Sequence, residues 1–242
     1  YWGQLPPHLF SQWSYDLVAR TMEHLPYPMH ALLNGGCRLE MHRPLEATEL
    51  QIEARLEEID ESPSRVRIHQ IVETGPVGAS PALTAHMYFV LPRSSTEPGD
   101  RERSRPRVRE DAHEIERWSL SEDAGWNYAK LTGDFNPIHW CRPAARAAGF
   151  DHTILHGFST MARAMEGLNT TWFGGRTPIE VFDVRFTRPL ALPADVGLYV
   201  TGASGPDDDD PAPVEVAVGD GSGEPAYMIG ECQWDGSIAS EL

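Results

Sequence analysis

Alternation of hydrophobic and polar residues indicates β-strands in both halves of the chain. In residues 49–59, ELQIEARLEEI, charged or amide side chains alternate with four apolar side chains, namely Leu50, Ile52, Ala54 and Leu56. A period of two residues is typical of a strand with one buried and one solvated face. Strand-like patterns recur in six other segments, namely 65–73, 83–91, 181–187, 196–202, 214–218 and 226–234.

Three segments are predicted to be helices. Residues 11–22, SQWSYDLVARTM, form the first. The second begins at Ser121, which is a good N-cap followed by two acids, and runs to about Leu131 before Gly133. The third spans 157–168, where apolar residues recur at helical spacing and predict one buried face. These apolar residues are Phe158, Met161, Ala162, Met165 and Leu168.

A segment without hydrophobic periodicity separates the two halves. Residues 94–109, SSTEPGDRERSRPRVR, are rich in charge, serine and proline, which is typical of a linker. We therefore predict a first repeat over 1–93, a linker over 94–112 and a second repeat over 113–242. 

A short sequence match suggests that the halves are duplicates. HRPL at 42–45 precedes one predicted strand, and TRPL at 187–190 precedes another. Each half would then be one helix with one antiparallel sheet, and only the second contains the acid–amide–histidine cluster discussed below.

Composition restricts the possible partners. The chain has 242 residues, 40% of them hydrophobic, and a formal net charge of −16. This acidity argues against nucleic acid as a partner and weakly against an acidic carrier protein. The apolar stretches are too short to span a membrane, and the three cysteines show no disulfide or zinc spacing. We expect a cytoplasmic protein that does not bind membranes.

The stretch LTGDFNPIHW, residues 131–140, carries the strongest chemical signal. Asp134 and His139 are a carboxylate and an imidazole that can share proton transfer. Pro137 restricts the turn between them, and the uncharged Asn136 can orient a neighbour without titrating. The alternative interpretation is a polar turn, because Asp and Asn are common where a chain leaves a helix.

A second stretch, ILHGFSTMARAM, places Gly157 at the start of the apolar helix. The first backbone N–H groups of a helix are unpaired, so they can stabilise an oxygen that gains negative charge in a transition state. The alternative is that Gly157 only permits a tight approach to the helix, and that the apolar stripe is only core.

Four motifs in order resemble one family. GDFNPIH, ARAAGF, ILHG and VRFTRPL are similar to the MaoC-like hydratases, which include (R)-specific enoyl-CoA hydratases and 3-hydroxyacyl thioester dehydratases. The resemblance covers roughly residues 120–200. It implies an α+β double hot-dog, in which two antiparallel sheets each wrap a helix and the second repeat carries the site.

The resemblance also implies roles for site residues. Asp134 and His139 would hold the water that adds to a trans-2-enoyl thioester, with Asp134 as the base and His139 as the acid of a coupled pair. Asn136 would support them, and the Gly157 N–H would bind the thioester carbonyl. Trp140 and Cys141 depart from the family, because many relatives carry an acidic residue close behind the histidine.

Other residues near the motif have two interpretations each. Arg142, Arg146 and Arg163 suit the phosphates of coenzyme A, or they lie on solvated helix faces. His152 and His156 are four residues apart and could bind zinc on a helix, but glycines bracket them, so we expect no metal and assign His156 to fixing the loop. The acidic run at 207–210 is predicted to be a solvated loop.

The sequence therefore predicts a hydro-lyase that interconverts trans-2-enoyl and (R)-3-hydroxyacyl thioesters. It needs no cofactor, since coenzyme A belongs to the substrate. A hot-dog thioesterase and a non-catalytic acyl-thioester binding subunit remain as alternatives. The acyl group is delivered by coenzyme A or a carrier protein, and a homodimer is possible.

Overall fold

The protein divides into two compact units, Tyr1–Arg105 and Pro106–Leu242. The structure is a computed structural model, and it describes residues 3–28, 31–93, 105–202, 204–208 and 211–236. Each unit combines helices with an antiparallel sheet, which is the α+β class expected from the sequence.

The first unit is a four-stranded antiparallel sheet with one long helix. A 3-10 turn, Pro7–Leu9, leads into α1, Ser11–Met22. The strands are β1, Leu33–Met41; β2, Leu50–Glu61; β3, Arg65–Pro76; and β4, Leu83–Pro92. They lie in the order β2-β3-β4-β1. The predicted helix and all three predicted strands of this half are confirmed.

Helix α1 packs on β2 and β3. Its Val18 and Met22 are buried, and the side-chain amide of Gln70 donates to the Val18 carbonyl oxygen over 3.2 Å. The Trp13 indole N–H donates to Thr74 Oγ1 over 3.2 Å. The face of β3 that carries Gln70 and Thr74 therefore meets the helix, which explains why these polar residues are buried in the strand.

The second unit has five strands in the order β6-β9-β8-β7-β5. They are β5, His113–Leu120; β6, Ile179–Phe186; β7, Ala194–Thr201; β8, Val214–Gly219; and β9, Ala226–Trp234. All neighbouring strands are antiparallel. The four strands predicted for this half are confirmed, and β5 was not predicted.

The helices of the second unit lie between β5 and β6 in sequence. They are α2, Ala124–Thr132; α3, Arg142–Ala147; and α4, Gly157–Gly167, which continues into a π-helical turn, Leu168–Trp172. Helix α4 buries a continuous apolar face that includes Met161, Ala164, Met165 and Leu168. The predicted helix over 157–168 is therefore confirmed.

The predicted helix after Ser121 is confirmed at its C-terminus and wrong at its N-terminus. Gly133 follows the last helical residue with φ 81°, and its N–H bonds to the Ala129 carbonyl oxygen. At the other end Asp123 is the N-cap, without a side-chain capping bond. Ser121 instead accepts the Ala124 N–H at its carbonyl oxygen, so a turn precedes the helix.

The boundary between the two units falls within the segment predicted as a linker. Residues 94–104 lie outside the described residues. From Pro106 onward the chain packs on the second unit: Val108 is buried with Tyr199 and Ala226, and its N–H bonds to the Glu224 carbonyl oxygen. The division into repeats at 1–93 and 113–242 stays a prediction.

Candidate active site

The turn after α2 brings an acid and a histidine together, as the sequence predicts. Asp134 Oδ1 accepts the Asn136 N–H over 3.2 Å, and Asn136 Oδ1 accepts the Ile138 N–H over 3.4 Å. Asn136 thereby caps the 3-10 turn Pro137–His139, in which Pro137 is the first residue. The turn is built from local hydrogen bonds, and it places His139 in the interior with only 9% of its surface exposed.

The protonation of the His139 ring follows from its partner. Its Nδ1 lies 2.7 Å from the Ile154 carbonyl oxygen, which can only accept a hydrogen bond. Nδ1 therefore carries the proton, and Nε2 of the neutral ring is left as an acceptor. Burial lowers the pKa of His139, and this outweighs the opposite effects of the Ile154 carbonyl and the Asp134 charge.

The carbonyl that orients His139 is itself held firmly. The Ile154 N–H bonds to the Ile138 carbonyl oxygen over 3.3 Å, and Ile154 forms an isolated bridge with Ala191. The Leu155 N–H bonds to the Leu190 carbonyl oxygen over 2.8 Å. Leu190, the last residue of the TRPL segment, therefore helps to hold the Ile154 carbonyl in place. That carbonyl in turn fixes the tautomer of His139, although the two residues are far apart in the sequence.

His156 is the third member of the cluster. Its ring stacks on His139 with the centroids 3.6 Å apart and the planes 24° apart. Its Nε2–H donates to the Asp134 carbonyl oxygen over 3.1 Å, and Nε2 is 3.9 Å from Asp134 Oδ2. The sequence suggested only that His156 fixes a loop. The structure shows that it touches both predicted catalytic residues.

His156 is neutral in this environment. Burial, and to a smaller extent the positive charge that His139 could carry, lowers its pKa to about 4 against the opposing effect of Asp134. Because Nε2 is the protonated nitrogen, Nδ1 carries the lone pair; this atom is buried and has no hydrogen-bond partner among the described residues. Two neutral stacked rings avoid the repulsion that two imidazolium ions would suffer at this distance.

The three residues of the cluster are of types that can ligate a metal ion. Asp134, His139 and His156 each offer one possible ligand atom, and these atoms lie within 4.8 Å of one another. However, an imidazole lone pair lies in the plane of its ring, and the planes of the two stacked rings are only 24° apart, which is unfavourable for binding one ion. One nitrogen of each ring is also engaged by a carbonyl oxygen. His152 and His156 precede α4 and do not share a helix face.

Gly157 is the first residue of α4, and His156 is the N-cap. Its N–H belongs to the first helical turn and has no intrahelical acceptor. A Cβ at this position would lie 2.8 Å from the Phe186 ring, so close packing also requires glycine here. Both interpretations from the sequence, a donor near substrate and a tight approach, are compatible with this geometry.

Gly125 is a contributor that the sequence did not reveal. A Cβ added to this residue of α2 would overlap the carbonyl oxygen of His139. The helix backbone and the turn therefore lie in direct contact, and the contact exists only because position 125 has no side chain. The local sequence does not show whether a glycine in a helix is required by packing or is only accommodated there.

The arginines predicted near the site are not drawn into the cluster. Arg142 and Arg146 are exposed on α3, and neither forms an ion pair with any residue that the structure describes. Arg163 lies on α4. In the acidic run, Asp207 is exposed and pairs with Arg176 over 2.6 Å, while Asp209 and Asp210 lie outside the described residues.

Comparisons with known proteins agree with the motifs. Residues 101–220 match the model of the MaoC like domain family. Over 79 residues, 32% of this chain, the sequence is 40% identical to 3-hydroxyacyl-thioester dehydratase X of Mycobacterium tuberculosis strain ATCC 25618 / H37Rv. That match spans 26% of the relative, about a quarter of its length.

Solved structures share the fold over most of the chain. The crystal structure of HtdX from Mycobacterium tuberculosis matches with a TM-score of 0.73 and 18% identity, over 96% of this chain and 89% of that one. A MaoC-like dehydratase matches with a TM-score of 0.78 and 20% identity, over 97% and 85% of the two chains. At these identities the likeness establishes the hot-dog fold and not the chemistry.

No helix in the described part of the chain is long and apolar enough to cross a membrane.

Proposed function

The chain belongs to the MaoC-like dehydratase family, and on this premise we propose that it reversibly adds water to a trans-2-enoyl thioester to give an (R)-3-hydroxyacyl thioester. The observation that carries the proposal is the pairing of Asp134 with a neutral His139 whose Nδ1–H is donated to the Ile154 carbonyl. The unprotonated Nε2 is then free to accept a proton or a water hydrogen.

The spacing of the pair suits one water molecule. A carboxylate oxygen of Asp134 and a nitrogen of the His139 ring lie within 4.8 Å of each other, a gap that one water can span with two hydrogen bonds of ordinary length. We assign the acceptor on the ring to Nε2, because Nδ1 carries the proton. With both hydrogens engaged, an oxygen lone pair is left to attack C3 of the enoyl group. Both acceptors also make that oxygen more nucleophilic.

Water adds across the C2–C3 double bond. The water oxygen bonds to C3, and the π electrons of the C2–C3 bond move toward the thioester carbonyl, which becomes enolate-like. One water proton passes to the Asp134–His139 pair, and the pair returns a proton to C2. Asp134 as base and His139 as acid stays our prediction. Because the resting His139 ring is neutral, the proton that it gives to C2 is the one that the pair takes from the water, relayed through Nε2.

The enolate oxygen needs a fixed donor. We assign this role to the Gly157 N–H, because it is unpaired within α4 and the helix N-terminus favours negative charge. Removal of one such donor typically lowers kcat about 100-fold to 1,000-fold. Asn136 acts indirectly, since its side chain caps the turn that carries His139.

The arrangement of the two units as a double hot-dog, with the site in the second repeat, remains part of this proposal. Each unit by itself supplies a helix and an antiparallel sheet, as a duplication would.

Hydration of a panel of trans-2-enoyl-CoA thioesters tests the function, with loss of the conjugated absorbance as the readout. We expect turnover by the wild type and a loss of about 100-fold to 10,000-fold in Asp134→Asn and His139→Gln. His152→Ala is the matched control, because His152 is exposed and outside the cluster. Chiral analysis of the product tests the (R) configuration.

Two outcomes would favour the alternatives. Release of free thiol without a 3-hydroxyacyl product would indicate a thioesterase. Binding of the enoyl thioester without turnover, unchanged in both variants, would indicate a binding subunit. Equal activity of the wild type and both variants would refute the assignment of the site to this turn.

A further inference from the structure

The outer side of the active-site turn carries a cluster of exposed aromatic rings. Among the described residues seven large hydrophobic side chains are exposed, and four of them lie between positions 126 and 140. Three are the rings of Trp126, Phe135 and Trp140, which we call the aromatic cluster; their exposed fractions are 39%, 48% and 40%. Such a concentration of exposed apolar surface marks a binding site more often than chance.

Each residue of the aromatic cluster directly follows a residue of the active-site region in the sequence. Trp126 follows Gly125, Phe135 follows Asp134 and Trp140 follows His139. The partners in each pair differ in exposure, because the site residues are buried or half-buried while the aromatic rings meet solvent. A ligand held by the aromatic cluster would therefore lie beside the turn that holds the reacting groups.

The rings are ordered before any ligand arrives. Trp126 contacts Phe135 and Trp140, with ring centroids 5.7 Å and 5.2 Å apart. The Trp140 indole N–H donates to the Phe135 carbonyl oxygen over 3.2 Å. Since these contacts already fix the side chains, a ligand that stacks on them loses little affinity to ordering of the protein.

Cations lie close to the cluster in the sequence of a chain that is acidic overall, although the acids Glu122 and Asp123 precede Trp126. Between positions 124 and 148 there are three cations, Lys130, Arg142 and Arg146, and one acid, Asp134. Lys130 lies one helical turn after Trp126, and Arg142 lies two residues after Trp140. None of the three cations forms an ion pair with a described residue, whereas many arginines elsewhere do.

Resting on the proposed function, we propose that the aromatic cluster and these three cations bind the nucleotide end of a coenzyme A thioester. The adenine ring stacks on the indoles, and the phosphate groups meet the cations. Aromatic faces recognise a planar base and arginines suit phosphates, so the two features together match a nucleotide. The substrate is therefore a coenzyme A thioester and not a carrier-protein thioester, which has no base.

A second copy of the chain fits this surface less well. A symmetric contact through the cluster would place the same cations of both copies near each other. An acidic carrier would satisfy the charges but would leave the aromatic faces without a planar partner.

The experiment compares one enoyl group on two carriers, coenzyme A and pantetheine, which lacks the nucleotide. We expect Trp126→Ala and Trp140→Ala to lower kcat/KM for the coenzyme A ester by about 10-fold to 100-fold. The same variants should leave kcat/KM for the pantetheine ester within about twofold. Arg142→Ala and Arg146→Ala should raise KM for the coenzyme A ester with little change in kcat. Arg65→Ala, exposed and far along the sequence, is the charge control.

Quenching of tryptophan fluorescence by coenzyme A gives a second readout that does not need turnover. We expect saturable quenching that is lost in Trp126→Ala. If wild type shows this binding but hydrates no thioester, the proposed function fails and the nucleotide site stands.

Three results would overturn the nucleotide site. The wild type could use both esters equally well. The tryptophan variants could lose activity on both esters alike, which would make the cluster a support for the turn. The wild type could also fail to bind coenzyme A while it hydrates an enoyl group delivered by a carrier protein.

Discussion

The imidazole rings of His139 and His156 are stacked 3.6 Å apart, and each donates one N–H to a main-chain carbonyl oxygen. Each ring thus has its tautomer fixed by an acceptor that cannot change protonation state. The pair is neutral, because burial lowers both pKa values and a charge on one ring opposes a charge on the other. The site is built around this neutral pair, with Asp134 beside it.

The first prediction concerns stability in acid. The pKa of folded His156 is about 4, below its ordinary value of 6.5, so the unfolded chain binds a proton first as the pH falls. The contribution of His156 to the free energy of unfolding therefore falls between about pH 6.5 and 4, by on the order of 3 kcal/mol, and is constant outside that window. Urea unfolding at several pH values measures it.

The comparison variant is His156→Phe, which keeps an aromatic ring and cannot titrate. Its free energy of unfolding should fall less steeply than that of the wild type over the same window. His113→Asn, at an exposed position, is the control. Parallel curves for the wild type and His156→Phe would show that His156 is not held neutral.

The second prediction concerns the pH dependence of catalysis. Burial lowers the pKa of His139, so the neutral acceptor form persists to a lower pH than in an exposed histidine. We expect the acidic limb of the kcat/KM profile for enoyl-CoA hydration to lie below pH 6.5. Nitrogen NMR of labelled histidine should show a proton on Nδ1 of His139 at neutral pH. An acidic limb above pH 6.5, or a proton on Nε2, contradicts the assignment.

Much of the secondary structure could be predicted because it is encoded locally. Strand β2 alternates apolar and polar residues from Leu50 to Glu57, and α4 has an apolar stripe, so each pattern is visible in the segment's own sequence. Strand β1 was missed because it contains two glycines, which weaken any strand signal. There a Cβ on Gly35 would lie 2.9 Å from the Val90 side chain, and the pairing with β4 shifts register nearby.

The site could be predicted in part for the same reason. Asp134 and His139 are five residues apart on one turn, so their proximity is a local property. The stacking of His156 on His139 depends on how the segment before α4 meets the turn, and the contact of Gly125 with His139 depends on how α2 packs. These are tertiary contacts, which no periodicity in the sequence reports.

The third prediction is that the site works without a metal ion. The ring planes of His139 and His156 are stacked and only 24° apart, so their in-plane lone pairs are poorly placed to bind one ion, although their atoms and an Asp134 oxygen are close together. Hydratase activity should therefore be unchanged after dialysis against EDTA, and elemental analysis should find less than one equivalent of zinc. A loss of activity that stoichiometric zinc restores would refute this prediction.

The fourth prediction separates the two roles of Gly157. Gly157→Ala places a Cβ 2.8 Å from the Phe186 ring, which should lower the free energy of unfolding by about 1–3 kcal/mol through overpacking. Adding Phe186→Leu should recover part of that stability. If the N–H serves the substrate, any displacement of the helix start should also reduce kcat in Gly157→Ala. Full activity in the single variant would leave only the packing role.

The last prediction concerns Gly125, where two effects oppose each other. Alanine is the better helix former by about 1 kcal/mol, so Gly125→Ala should stabilise α2 considered alone. The new Cβ, however, would overlap the carbonyl oxygen of His139, which is backbone and cannot rotate away. We expect the clash to displace His139 and so to outweigh the gain in helix propensity. A displacement of about 1 Å in a reacting group can lower the rate 100-fold.

The test of Gly125→Ala is kcat for enoyl-CoA hydration together with urea unfolding. Asn127→Ala is the matched control, since it lies on the same helix, is exposed and also raises helix propensity. The control should keep wild-type kcat, and Gly125→Ala should lose at least about tenfold even where the protein is folded. Wild-type kcat in Gly125→Ala would mean that the position of His139 does not depend on its contact with α2.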